Sequence, residues 1–104
     1  MERALMDSLL SNIKNDVLYL TLNRPDKLNA LTDDLLSQLL SELKSAERNS
    51  ALRSIVILGA GKGFCAGQDL ADFETKDRSF HQHIELFYKP LVSKMRSIEK
   101  PVLI

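Results

Sequence analysis

Gly59-Ala60-Gly61-Lys62-Gly63-Phe64-Cys65-Ala66-Gly67-Gln68-Asp69-Leu70 follows directly on the apolar run Ile55-Val56-Ile57-Leu58. A short apolar run that ends in glycine reads as a buried strand. All four glycines of the 104-residue chain fall between Gly59 and Gly67. Glycine permits left-handed backbone and close approach of a ligand to the peptide groups, so this loop is where function is sought first. Its spacing excludes two common meanings. A P-loop requires Gly-Lys-Ser/Thr, which the chain lacks, and the dinucleotide fingerprint requires glycine where Phe64 stands. A plain surface connection remains open. Against it, Phe64 and Cys65 both favour burial over a purely solvated loop.

Working outward, Leu9 to Lys14 and Val17 to Asn23 read as two strands around the turn pair Asn15-Asp16. Leu18, Leu20 and Leu22 share one face of the second strand. Pro25 ends sheet pairing because it has no N–H to donate. Thr32 is placed to cap a helix starting at Asp33, with Asp33 and Asp34 favourable against its dipole. Leu35, Leu36, Leu39, Leu40, Leu43 and Ala46 recur at helical spacing and form a core-facing stripe. Beyond the glycine loop, Asp72 to Ser79 is charged and reads as an exposed, mobile connection. A helical stretch from Phe80 to Ile98 follows, which Pro90 kinks or restarts near Lys89. The order is strand, strand, helix, strand, loop, helix, strand.

Fourteen basic residues balance fourteen acidic ones, so nothing points to nucleic acid. No apolar stretch is long enough to span a bilayer, and the N-terminus lacks a signal-peptide pattern. A lone cysteine excludes an internal disulfide and suits a reducing compartment; the cytoplasm is the expected location. His81 and His83 point to different sides of a helix and read as surface or helix-side residues, with no metal site between them. Cys65 reads as a buried structural thiol. Asp69 caps a helix or ties the loop; a general base is the other reading of it.

Three segments together resemble the enoyl-CoA hydratase/isomerase (crotonase) family. They are the glycine loop, the stretch Asn23-Arg24-Pro25-Asp26-Lys27-Leu28-Asn29-Ala30-Leu31, and Lys100-Pro101-Val102-Leu103-Ile104. They occur in the family's order and span about Ile13 to Ile104. The resemblance implies an α/β fold, a crotonase-like spiral of ββα units, with residues 1–104 as the N-terminal part of an acyl-CoA-binding domain. It implies a thioester carbonyl gripped by two main-chain N–H groups, the first at the position of Ala66. Aimed amides suit this task because they stabilise developing negative charge without reorganising. Ala66, Gly67, Gln68, Asp69 and Leu70 match residues lining the adenine and pantetheine of coenzyme A. Lys27, Leu28 and Ala30 match the opposite wall, with Lys27 suited to a phosphate.

By the same resemblance no separate cofactor is needed, since coenzyme A is part of the acyl-CoA substrate. The complete enzyme is expected as a homotrimer or a dimer of trimers. Family chains are considerably longer, so the second donor and the acid–base carboxylates are expected beyond Ile104. Gly63 to Leu70, with Phe87-Tyr88-Lys89-Pro90-Leu91-Val92, is also similar to the isomerases of phenylacetyl-CoA catabolism. The expected substrate is thus an enoyl-CoA or a ring-1,2-epoxyphenylacetyl-CoA-like thioester. The other reading is a non-catalytic CoA-binding or interaction module built from half the fold.

Overall fold

A computed structural model describes residues 7–104. Two strands, β1 (Leu9–Lys14) and β2 (Val17–Leu22), form an antiparallel hairpin. Asn15 and Asp16 turn it with φ of 53° and 66°, the doubly left-handed turn that matches the twist of paired strands. Helix α1 (Asp33–Arg48) then crosses over to β3 (Ser54–Gly59), which pairs parallel to β2. A short β4 (Val102–Leu103) adds in parallel, giving the sheet order β1-β2-β3-β4. This is the expected ββα succession followed by further parallel strands.

One face of the sheet builds the core. Leu18, Leu20 and Leu22 of β2 and Ile55 and Ile57 of β3 are buried, all pointing the same way because side chains alternate along a strand. Against them α1 packs Leu35, Leu36, Leu39, Leu43 and Ala46, the expected stripe except for Leu40, which is half-buried. Each fully buried leucine contributes about 1.5–3 kcal/mol of transfer free energy. The helix starts where expected: Thr32 Oγ1 accepts from Leu35 N–H at 3.1 Å.

Pro25 opens a 3₁₀ turn (Pro25–Lys27), after which Leu28 and Asn29 are left-handed, with φ of 51° and 57°. Two adjacent positive-φ residues fold the chain back on itself before α1.

The expected exposed, mobile connection over Asp72 to Ser79 is corrected by the structure. Its first residues belong to a short helix, α2 (Leu70–Glu74). Asp72, Lys76 and Arg78 are half-buried, and all three engage Asp33 at the start of α1. Charged residues without apolar periodicity look solvated in sequence; here they find one another across 39 to 45 positions.

The helical stretch after Ser79 runs as α3 (Phe80–His83), a wide π turn over Ile84–Tyr88 and α4 (Lys89–Ser97). Ser79 and Gln82 form a capping box at its start, the two side chains satisfying each other's backbone N–H. Pro90 produces the restart that the sequence suggests. It supplies no N–H, and Lys89 N–H reaches back five residues to Ile84 O, which makes the turn wide rather than broken.

The core assignment has a direct check. Leu43→Ala should lose about 2–5 kcal/mol in urea unfolding, while Leu40→Ala on the same helix should lose distinctly less. Equal losses would mean that the stripe does not face the core as described.

Candidate functional site

Asn29 is fully buried at the base of the glycine loop. Its Nδ2 donates to Ala60 O at 2.9 Å and to Gly63 O at 3.0 Å, and its Oδ1 accepts from Arg24 N–H at 2.7 Å. An asparagine suits this place for two reasons. It tolerates positive φ, and it carries both donors and an acceptor on one short side chain. Three backbone groups of two different loops are thereby satisfied away from water. Gly59 completes the fit, since a Cβ there would sit 2.5 Å from Phe64 O.

Arg24 and Asp69 tie the loops a second time. The Arg24 guanidinium donates to Ala30 O and to Asp69 Oδ2, the latter at 2.9 Å. Asp69 Oδ1 accepts from Asp72 N–H at 3.0 Å and so caps α2. The Asp72 amide first, and Arg24 second, hold the Asp69 carboxyl below its ordinary value of 3.8. Both oxygens are committed and basicity is reduced, so the capping and tying role stands and the general-base reading falls.

The main chains of the two loops also meet directly. Ala66 N–H donates to Leu28 O at 2.9 Å, Leu31 N–H to Gly67 O at 2.7 Å, and Asp69 N–H to Leu31 O at 2.9 Å. Residues 31 and 68 therefore form a parallel bridge. In such a bridge the flanking groups of residue 68 make the bonds, and its own N–H and C=O face the other way. The Ala66 amide, expected as the oxyanion donor, is thus consumed in holding the loops together. Gln68 N–H, by contrast, has no acceptor among the described residues. Gly67, at φ 102°, supplies the left-handed step between them.

The Gln68 side chain is held firmly. Its Oε1 lies 2.8 Å from His83 Nε2 and also accepts from the Tyr88 hydroxyl, while its Nε2 donates to Asp69 O at 3.0 Å. His83 was expected at a surface or helix side; it is instead fully buried among the rings of Phe73, Phe80, Phe87 and Tyr88. Arg78 Nε–H donates to His83 Nδ1 at 3.1 Å, which leaves the proton of a neutral ring on Nε2, facing Gln68. Arg78 also stacks on Phe87 and pairs with Asp33. Burial, and behind it the charges of Cys65 and Asp33, push the Tyr88 phenol up from 10.0, so it stays a donor at neutral pH.

Seven of the eight expected site residues lie on these two touching loops, and the eighth, Leu70, begins α2. Lys27 is exposed at the end of the 3₁₀ turn, Leu28 is about half exposed, and Leu70 projects into solvent. Cys65 is half-buried, not buried, and Phe64 is 42% exposed. Both turn one side to a cavity of about 140 Å³ lined only by Leu22, Leu31, Leu39, Ile57, Phe64, Cys65, Leu91, Met95 and Ile104. Among the described residues no cluster suited to a metal ion occurs, and no helix is long and apolar enough to cross a membrane.

Residues 12–104 match the family model described as enoyl-CoA hydratase/isomerase. The chain belongs to that family. A 1,2-epoxyphenylacetyl-CoA isomerase of Escherichia coli is 40% identical over 103 residues, covering 95% of this chain and 39% of that enzyme. A 2,3-dehydroadipyl-CoA hydratase of the same organism is 35% identical over 97 residues, covering 85% of this chain and 38% of the enzyme. Among solved structures, an enoyl-CoA hydratase/isomerase from Pseudoalteromonas atlantica superposes with a TM-score of 0.76 at 29% identity, over 92% of this chain and 36% of that one. The α/β crotonase fold expected from the sequence is therefore the fold of this chain, which spans about two fifths of those enzymes.

Arg24 and Asn29 stand in the quoted motif, yet without a role assigned from sequence. His83 carried a usable signal: Phe80, His83 and Phe87 lie at helical spacing and mark an aromatic stripe.

Two outcomes follow for this hydratase/isomerase-family chain. Asn29→Asp, nearly isosteric, sets a carboxylate against two carbonyl oxygens and should cost about 3 kcal/mol or more in denaturant unfolding. For Asp69 the folded carboxyl titrates below the unfolded one. Its contribution is complete above pH 3.8 and is lost as pH falls below that value. The stability difference between wild type and Asp69→Asn should therefore shrink toward zero in acid unfolding series; a difference that grows in acid would reverse the sign.

Proposed function

We propose that this chain supplies the CoA-binding lip and one oxyanion donor of an acyl-CoA hydratase/isomerase, and that the donor is the main-chain N–H of Gln68. The observation that carries this reading is that amide. It is left without an acceptor among the described residues and faces away from its bridge to Leu31, a residue that also lines a nonpolar cavity. A thioester carbonyl bound there receives a hydrogen bond that strengthens as the enolate-like oxyanion forms.

Coenzyme A lies along the two joined loops, with Lys27 toward a phosphate and Leu28, Ala30, Ala66, Gly67, Gln68, Asp69 and Leu70 lining its course. The second donor and the acid–base carboxylates come from sequence outside this chain. The substrate is an enoyl-CoA or a ring-1,2-epoxyphenylacetyl-CoA-like thioester; the likeness to the Escherichia coli 1,2-epoxyphenylacetyl-CoA isomerase over nearly the whole of this chain supports the second. The complete enzyme works as a homotrimer or a dimer of trimers.

The test replaces one backbone amide at a time by an ester, in the complete enzyme, using the matching hydroxy acid. The Gln68 ester should lower kcat roughly 100- to 1,000-fold with CoA affinity retained. The Ala66 ester should chiefly lower melting temperature, because it removes the bond to Leu28 O. Full turnover in the Gln68 ester would end this assignment, and a selective loss in the Ala66 ester would move the donor there. Lys27→Ala should raise KM at nearly constant kcat, the pattern of lost uniform binding. A complete protein that binds CoA but turns over no acyl-CoA thioester would instead be a binding module.

A further inference from the structure

We propose that His83 and Tyr88 are positioning residues that aim the Gln68 amide through the Gln68 side chain. This rests on the reading of Gln68 N–H as an oxyanion donor. A donor of that kind acts only if it is held still, yet Gln68 sits in a loop and its N–H makes no bond among the described residues. Something else must hold the residue. The bridge to residue 31 anchors the peptide groups on either side, and the side chain supplies the remaining constraint.

The clamp is complete in hydrogen-bonding terms. Tyr88 O–H and His83 Nε2 converge on Gln68 Oε1, and the amide nitrogen has a carbonyl acceptor at Asp69. A flipped Gln68 amide would set its NH₂ against the His83 Nε2–H donor and its oxygen against the Asp69 carbonyl, so this orientation is the one that fits. His83 is kept in the donating tautomer by Arg78 Nε–H on its other nitrogen, and Arg78 is in turn held by Asp33. The ring itself cannot swing, being fully buried between Phe73, Phe80 and Phe87. The chain of contacts thus runs from the start of α1, through Arg78 and His83, to one loop residue.

The complete enzyme tests this with Gln68→Leu, Tyr88→Phe and the pair together. Gln68→Leu keeps the main-chain N–H and loses the clamp; kcat should fall about 10- to 100-fold, the usual cost of a small misplacement. KM should change by a clearly smaller factor than kcat, because the bond to the carbonyl is strongest in the transition state. Tyr88→Phe, which keeps the ring, should give a smaller fall in kcat. The double variant should be no worse than Gln68→Leu, because both act through the same oxygen. A kcat for Gln68→Leu within about twofold of wild type, or losses that multiply in the double variant, would overturn the clamp. A second measurement stands apart from turnover. In Tyr88→Phe the ¹⁵N shift of the Gln68 main-chain amide should move while those of Leu20 and Ile55 hold; an unmoved Gln68 amide also overturns it. If the Gln68 ester keeps full turnover, the donor assignment falls first; if the ester is impaired and Gln68→Leu is not, only the clamp falls.

Discussion

Two loops that follow neighbouring parallel strands must be joined by something, because neither continues the sheet. The side chain of Asn29 does this by giving two hydrogen bonds to the glycine loop and taking one from Arg24. A buried amide without partners costs about 1–3 kcal/mol, so the fully buried Asn29 side chain holds its place only where these three bonds are made. Everything nearer the site assumes this junction. The Arg24–Asp69 pair, the Ala66–Leu28 bond and the short bridge at Leu31 all span the same two loops. They can form only once the loops have been brought to this separation.

The consequence for chemistry lies in what the junction leaves over. Lacing two irregular segments together uses most of their backbone donors, and it does so in an alternating pattern. Asp69 N–H and Gly67 O turn toward residue 31, and Gln68 N–H turns outward. A donor made available by the geometry of its neighbours is already oriented, which is the condition for stabilising charge without reorganisation. The same logic removes Ala66 from that role. An amide already bonded to a carbonyl must break that bond before it can serve a substrate.

The helical segment after Ser79 supports the site from outside the two loops. Its wide turn, forced by Pro90 downstream, carries Phe87 and Tyr88, both of which contact His83. Around them, Asp33 gathers Arg78, Lys76 and Asp72, so the start of α1 becomes a charged hub. Only one buried side-chain oxygen among the described residues lacks a hydrogen-bond partner, Asp33 Oδ1, and it faces His83 Nδ1 at 3.8 Å.

The sequence by itself determined the element order, the hairpin turn, the leucine face of α1 and its Thr32 cap. It also determined that the chain resembles a family whose fold it has. Those features are local: strand alternation, helical period and turn chemistry act over a few residues and can be read in one dimension. It also located the two loops of the candidate site, because glycine and proline restrict or free the backbone wherever they occur. Only the tertiary structure decided which amide of the glycine loop is spoken for. That choice depends on Leu28 and Leu31, more than 30 positions away, meeting Ala66 and Gln68. Likewise the burial of His83 and the pairing of Arg78 with Asp33 were invisible as pattern. A charged or imidazole side chain looks solvent-facing until its partner arrives from another element, and hydrogen bonds between distant residues leave no periodicity along the chain.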